Sequence, residues 1–243
     1  MQEFFESIGN SFVKTFITDD RWLQLLNGLL VTLEITIVAA LIGIVLGFLI
    51  AIVRSTYDMQ LQGRKCRKKS DYLLRALNAF CNLYITVIRG TPVVIQLMIM
   101  YFIVFASSRN GIFAAFLSFG MNSAAYVAEI VRSGIMSIDR GQFEASRSLG
   151  FDYKRTMLYI IVPQAFKNIL PALGNEFIVL VKETSVAGYV ALQDLTYIGN
   201  LIRSRTYEAF FPLITVALIY LIIVLILSFL LKKLERRLRN SDH

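Results

Sequence analysis

The chain has 243 residues, 56% of them hydrophobic and only 17% charged, with a mean hydropathy of +0.60; soluble domains carry about 25% charge, so this composition excludes an ordinary soluble enzyme and points to the bilayer. The net charge of +8 and pI near 9.6 would suit a nucleic-acid binder, but the basic residues fall between apolar blocks, where membrane orientation demands them. One histidine, His243, two cysteines, Cys66 and Cys81, and no Gly-Lys dipeptide argue against a histidine metal site or triad, a disulfide framework and a P-loop.

The opening run MQEFFESIGNSFVKTF lacks a basic segment followed by a continuous apolar one, so it does not read as a cleavable signal. Phe5, Ile8, Phe12 and Phe16 recur at helical spacing, which predicts an interfacial helix ahead of Trp22. The first apolar block, Leu29 to Val53, has Glu34 as its only ionisable residue and carries Gly43 and Gly47 at small-xxx-small spacing. A hydrocarbon core of roughly 30 Å takes about 20 helical residues, so this block spans. Four more blocks follow, Pro92–Ser107, Ile112–Val131, Ile169–Leu192 and Phe211–Leu231. The expectation is therefore an all-α integral membrane protein in one domain, with five transmembrane helices near residues 24–53, 89–108, 112–136, 168–192 and 210–232.

An odd number of spans separates the termini. One set of connections holds Arg54, Arg64, Lys65, Arg67, Lys68, Lys69, Arg75, Arg132, Arg140, Arg147, Lys154, Arg155, Lys167, Lys232, Lys233, Arg236, Arg237 and Arg239, eighteen in all. The opposite set holds five: Lys14, Arg21, Arg109, Arg203 and Arg205. The positive-inside rule then places the amino end outside and the carboxyl end in the cytoplasm.

Between the first two spans the basic run RKCRKK leads into SDYLLRALNAFCNLYITVIRG, where Leu73, Leu74, Leu77, Phe80 and Tyr84 predict one apolar face and Ser70 or Asp71 an N-cap. We read it as a helix along the membrane surface that ends at Gly90-Thr91-Pro92. Between the third and fourth spans, residues 137–167 contain GQFEASRSLG. Asp139 suits the N-cap of a helix starting near Arg140, and Gly150 suits the left-handed residue that ends it. Such a helix is too short to stand alone in water, so it docks on something, either the membrane surface or a partner protein. Charge pattern alone leaves both open.

The run from Glu144 to Pro163 reads Glu-Ala-Ser, three residues, Gly150, nine residues, Ile160, one residue, then Val162-Pro163. It resembles the EAA loop of ABC importer permeases, with Ser146 in place of an alanine and Val162 in place of a leucine. The flanks AYVAEIVRSGIMSIDRGQ and PQAFKNILPALGNEFIVLVKETSVAG, with VIRGTPVVIQL at the second span, resemble the polar amino acid subfamily that includes histidine, arginine and glutamine importers. The likeness runs from about Gly28 to Leu238, and the stretch from Tyr57 to Ser70 is longer than the family usually has.

The resemblance implies the type I ABC importer architecture and a permease that pairs with a second, identical or homologous one in a bacterial cell membrane. It implies an ATPase dimer that uses ATP and magnesium, an extracellular or periplasmic amino acid-binding protein, and no cofactor or catalysis in this chain. Glu144, Ala145, Gly150, Ile160 and Pro163 would form the coupling contact with the ATPase.

For substrate, ionisable and polar groups inside spans are the suspects. Lys182, Glu183, Thr184 and Ser185, near the middle of the fourth span, offer both signs of charge and hydroxyls to a zwitterion, and Gln96 adds a polar group in the second. Glu129 and Arg132, three apart, read either as a local ion pair or as ligand contacts. A self-sufficient channel or ion-coupled carrier is the competing class, and it has to account for spans without an internal repeat.

Overall fold

A computed structural model describes residues 9, 11–107 and 111–239. Of the positions read above, Phe5, Ile8, Arg109 and His243 lie outside the described residues. Among the described residues every regular element is helical, as a chain must be when its backbone polar groups have no water to bond. The α-helices are α1 Arg21–Gln60, α2 Lys69–Gly90, α3 Val93–Ile99, α4 Gly111–Met136, α5 Arg140–Ser148, α6 Tyr153–Thr156, α7 Val162–Glu183, α8 Leu195–Thr206 and α9 Phe210–Arg239. Wider π-helical turns occupy Val13–Ile17, Met100–Val104 and Met157–Ile161, and a 3-10 helix runs over Thr184–Val190.

Among the described residues four stretches, Val13–Gln60, Gly111–Met136, Tyr153–Val190 and Phe210–Leu238, are individually long and apolar enough to cross a bilayer. A fifth counts only if Lys69–Gly90 and Val93–Val104 are taken as one broken span. The expected span near 89–108 is therefore no straight helix. Thr91 is extended, at φ −121° and ψ 145°, because the residue before a proline is driven out of the helical region. Helix α1 has 40 residues; at 1.5 Å each it is about 60 Å long, twice the hydrocarbon thickness, so it reaches well past the membrane.

The chain divides into two units. One comprises Met1–Ala39, Val93–Phe119 and Ile178–Phe229. Its core gathers Leu25, Leu195, Ile198, Ile202 and Val216, and Asp194 closes it by capping α8, accepting from the backbone N–H of Tyr197 and of Thr196 at 3.1 Å each. Phe16 packs on this core and meets Phe12, ring to ring, at 4.8 Å.

The other unit comprises Ala40–Pro92, Gly120–Phe177 and Leu230–His243. Here α1 and α4 are pressed together at the two glycines noted in the sequence. A Cβ on Gly43 would lie 2.6 Å from the Ser123 hydroxyl oxygen, and one on Gly47 would lie 2.6 Å from the Val127 side chain. Below that contact Ala51, Val127, Val131, Ile135, Ile161, Ala165 and Ile169 form the main core.

Helix α2 corrects two expectations. Its cap is Lys68, and Asp71 stands inside the first turn with its carboxylate accepting from the backbone N–H of Arg67 at 2.9 Å and of Lys68 at 3.0 Å. Its apolar residues also divide between two faces. Leu74, Cys81, Tyr84, Ile85 and Ile88 turn toward protein, where the Tyr84 hydroxyl donates to the Met121 carbonyl, whereas Leu73, Leu77, Phe80, Leu83 and Val87 are exposed. Asp71, Arg75, Asn78, Asn82, Thr86 and Arg89 mark a polar side at helical spacing, but hydropathy does not divide the remaining apolar side in two.

Candidate functional site

Helix α5 is built at both ends by local chemistry. Asp139 accepts from the Gly141 N–H at 2.6 Å, which supplies the N-cap. At the other end the Gly150 N–H donates to the Arg147 carbonyl at 3.0 Å and the Phe151 N–H to the Ser146 carbonyl at 3.1 Å. That pair of bonds is a Schellman motif, and it needs the left-handed residue that Gly150, at φ +86°, provides. Asp152 then accepts from the Arg155 N–H at 2.7 Å and starts α6 at once.

Nine residues make α5 too short to persist without support, and the support comes from behind. Phe143 packs on the main core and against the Tyr153 ring at 6.0 Å. Ser146 is buried, its hydroxyl 3.0 Å from that of Thr156, which is buried too. Glu144, Ala145, Arg147, Ser148 and Gly150 face outward, and Leu149 is 78% exposed. Glu144 has no ion pair among the described residues. Of the other expected coupling residues, Ile160 packs half-buried against the main core and Pro163 is exposed at the start of α7.

Beside the amino end of α5 lies a cavity of about 380 Å³ whose lining includes Asp58, Gln62, Arg64, Asp139, Arg140 and Glu144. Close by, Glu129 and Arg132 of α4 form the ion pair read in the sequence, and α1 completes it. Arg132 also reaches Asp58 at 3.0 Å, and Arg54 reaches Glu129 at 3.5 Å. Two cations and two anions, all largely sheltered, balance one another. Pairing is what makes charge tolerable in such a place.

A second cavity, about 440 Å³, is lined by Arg89, Tyr126, Glu129, Ser133, Ser137 and Asn168 among others. The Arg89 guanidinium lies 5.0 Å from the centre of the Tyr126 ring, within cation–π range. Nothing local to VIRGTP shows that Tyr126 comes beneath Arg89.

The residues expected to meet substrate are distributed differently from the expectation. Glu183 is the last residue of α7, and Thr184 opens the 3-10 helix, so the group marks a change of helix type rather than mid-helix. Lys182 is exposed, Ser185 half-buried, and Gln96 half-buried on α3. Thr184 is buried and already engaged, 3.2 Å from the Thr36 hydroxyl and donating to the Val181 carbonyl at 2.9 Å. Glu183 Oε2 is buried with no hydrogen-bond partner among the described residues. Glu34 is exposed.

Residues 72–240 match the family of binding-protein-dependent transport system inner membrane components. The chain belongs to that family. Among inner membrane components of this kind, the arginine transport system permease protein of Bacillus subtilis is 39% identical over 222 residues, 90% of this chain and 94% of its own length. The glutamine transport system permease protein of Escherichia coli is 41% identical over 160 residues, 64% of this chain and 73% of its own length. A crystal structure of an amino acid ABC transporter with histidines superposes with a TM-score of 0.77 at 40% identity, covering 88% of this chain and 94% of that one. The chain is thus a multi-pass inner membrane component with the fold of an ABC transporter permease, and α5 lies inside the matched region.

Proposed function

We propose that the chain is the permease subunit of an ATP-driven importer for polar amino acids, crossing the membrane five times with its amino end outside and its carboxyl end in the cytoplasm. It pairs with a second permease and receives substrate from an extracellular or periplasmic binding protein. It is driven by a separate ATPase dimer that holds the ATP and magnesium. The observation that carries this reading is α5, a helix capped at both ends and braced from behind by Phe143 and Ser146, with Glu144, Ala145 and Leu149 turned outward.

A rigid element of this kind transmits force. Closure of the ATPase dimer moves the two copies of α5 together, and each helix pushes on the core through Phe143 and Thr156 rather than deforming. Glu144 supplies a charge-assisted contact, and Ala145 lets the partner's surface come close. Ile160 anchors the helical turn that leads from the loop into α7 against the main core, and Pro163 follows at the start of α7.

Two groups of side chains suit a zwitterionic substrate. Glu183, with its unpaired buried oxygen, offers a carboxylate to an ammonium, flanked by Lys182, Ser185 and Thr184, with Gln96 as a further polar contact. The cavity under Arg89 is the second, favoured by its volume and by a guanidinium over an aromatic ring, a setting that suits a substrate carboxylate.

The test is reconstitution in proteoliposomes with and without the ATPase subunit. Uptake of labelled arginine or glutamine is expected only with both the ATPase and internal ATP. Uptake by the chain alone, driven by an ion gradient, would establish the competing carrier class.

A further inference from the structure

The segment joining α1 to α2 plays no part in the transport reading. It leaves α1 through a turn in which Gly63 has φ +76° and then places Arg64, Lys65, Arg67, Lys68 and Lys69 within six residues, all exposed. None of the five makes an ion pair among the described residues. The acid nearest in sequence, Asp71, accepts from the backbone N–H groups of Arg67 and Lys68 and offsets part of the Lys68 charge, leaving the other four cations in excess. The segment curves around an open cavity of about 710 Å³ whose lining includes four cations, Arg64, Lys65, Arg67 and Lys68, against one acid, Asp71. Directly after it, α2 carries its exposed apolar stripe, Leu73 at 63%, Leu77 at 44% and Phe80 at 69% exposure.

A concentrated positive bowl at the head of an exposed apolar track matches one chemistry, an anionic headgroup on two acyl chains. Basic clusters next to a membrane helix attract anionic lipid at about 1 kcal/mol per residue, or roughly fivefold in affinity for each. We propose that residues 64–74 bind an anionic phospholipid, its phosphate held by Lys65, Arg67 and Lys68 with Ser70, and its chains laid along Leu73, Leu77 and Phe80. The site rests on the chain's place in the membrane and not on its cargo or its ATPase.

The test measures lipid retention on the purified full-length chain in neutral detergent, by native mass spectrometry after exposure to equimolar phosphatidylglycerol and phosphatidylcholine. The wild type is expected to retain phosphatidylglycerol in at least about tenfold preference. The variant K65Q/R67Q/K68Q/K69Q, which leaves Arg64 and the cavity beside α5 intact, is expected to fall to near parity. K232Q/K233Q/R236Q/R237Q, which removes as much charge from the end of α9, is expected to keep the preference. L77Q/F80Q is expected to weaken retention of both lipids while keeping their ratio. The proposal is overturned if the first variant retains its preference, or if the α9 variant loses as much. Displacement of the lipid by millimolar inorganic phosphate would also overturn it, by making this a free-anion site.

Discussion

The hydroxyls of Ser146 and Thr156 lie 3.0 Å apart, ten residues distant in sequence and both buried. This bond joins α5 to α6 beside the Phe143–Tyr153 ring contact, and removing Ser146 takes a partner from the buried Thr156 hydroxyl. Ser146→Ala is expected to destabilise the protein by about 1 to 3 kcal/mol, the cost of leaving Thr156 without this partner, and Thr156→Val by less, because the Ser146 hydroxyl keeps its bond to the Phe143 carbonyl at 2.8 Å. The double variant is expected to recover much of that loss, since it removes both partners. Thermal unfolding of the three variants in detergent measures the coupling, and strict additivity would show that the bond does not hold α5 in place.

Glu144→Lys and Gly150→Val are expected to abolish substrate-stimulated ATP hydrolysis in proteoliposomes while insertion and pairing persist. They should fail for different reasons. Glu144 is exposed and its carboxylate makes no ion pair among the described residues, so its replacement should leave the melting temperature nearly unchanged. At Gly150 a side chain meets a left-handed backbone, worth about 1 to 2 kcal/mol of strain, so that variant should also melt lower. Normal coupling in Glu144→Lys would remove α5 from the mechanism.

In the ion cluster, Arg132→Met removes the cation that serves both Asp58 and Glu129, leaving Glu129 with Arg54 alone and Asp58 with no ion pair among the described residues. The side chains are 11 to 26% exposed, so solvent screening holds the cost to about 1 to 3 kcal/mol, below that of a fully buried pair. Adding Glu129→Gln and Asp58→Asn should restore part of the stability. The readout is thermal unfolding across the series.

Asp194 gives a pH dependence. It lies outside the candidate spans, between Val190 and Phe210, and burial pushes its carboxyl up from 3.8 to about 6 against the pull of the two N–H groups it caps. The folded state therefore keeps this proton to higher pH than the unfolded chain does. This group's contribution is most favourable below about pH 4 and is lost as pH rises through 6, with no further change above. A shift of this size corresponds to about 3 kcal/mol. Asp194→Asn is expected to flatten that part of a melting-temperature profile taken between pH 4 and 7. An unchanged profile would assign the slope to other groups.

Glu183→Gln and Arg89→Gln separate the two substrate candidates. A ligand contact raises the substrate concentration needed for half-maximal stimulation of ATP hydrolysis by about tenfold, the value of one charge-assisted bond of roughly 1.5 kcal/mol, with basal hydrolysis unchanged. The variant whose half-maximal concentration stays at the wild-type value does not contact substrate.

Much of α5 was legible because its signals are local. Asp139, Arg140 and Gly150 fall within one short window, and their cap bonds are made to neighbours in the chain. The Glu129–Arg132 pair was legible for the same reason. Arg54 and Asp58 were invisible as its partners, since they come from α1, more than seventy residues away. The two faces of α2 were merged because hydropathy does not distinguish a leucine against lipid from one against protein. The shift of Glu183 from mid-helix to helix end left no local mark, since LVKETSVAG has neither proline nor glycine at the point where α becomes 3-10.

The close approach at Gly43 and Gly47 constrains how the permease moves. Where a backbone carries no side chain and its neighbour fills the gap, the two helices interlock like cog and notch, and neither slides without first separating. The parts of α1 and α4 that carry this contact, together with the ion cluster farther along both, therefore travel as a single strut. Any reorientation during transport must be taken up at joints in the chain, of which the break at Thr91–Pro92 is the plainest.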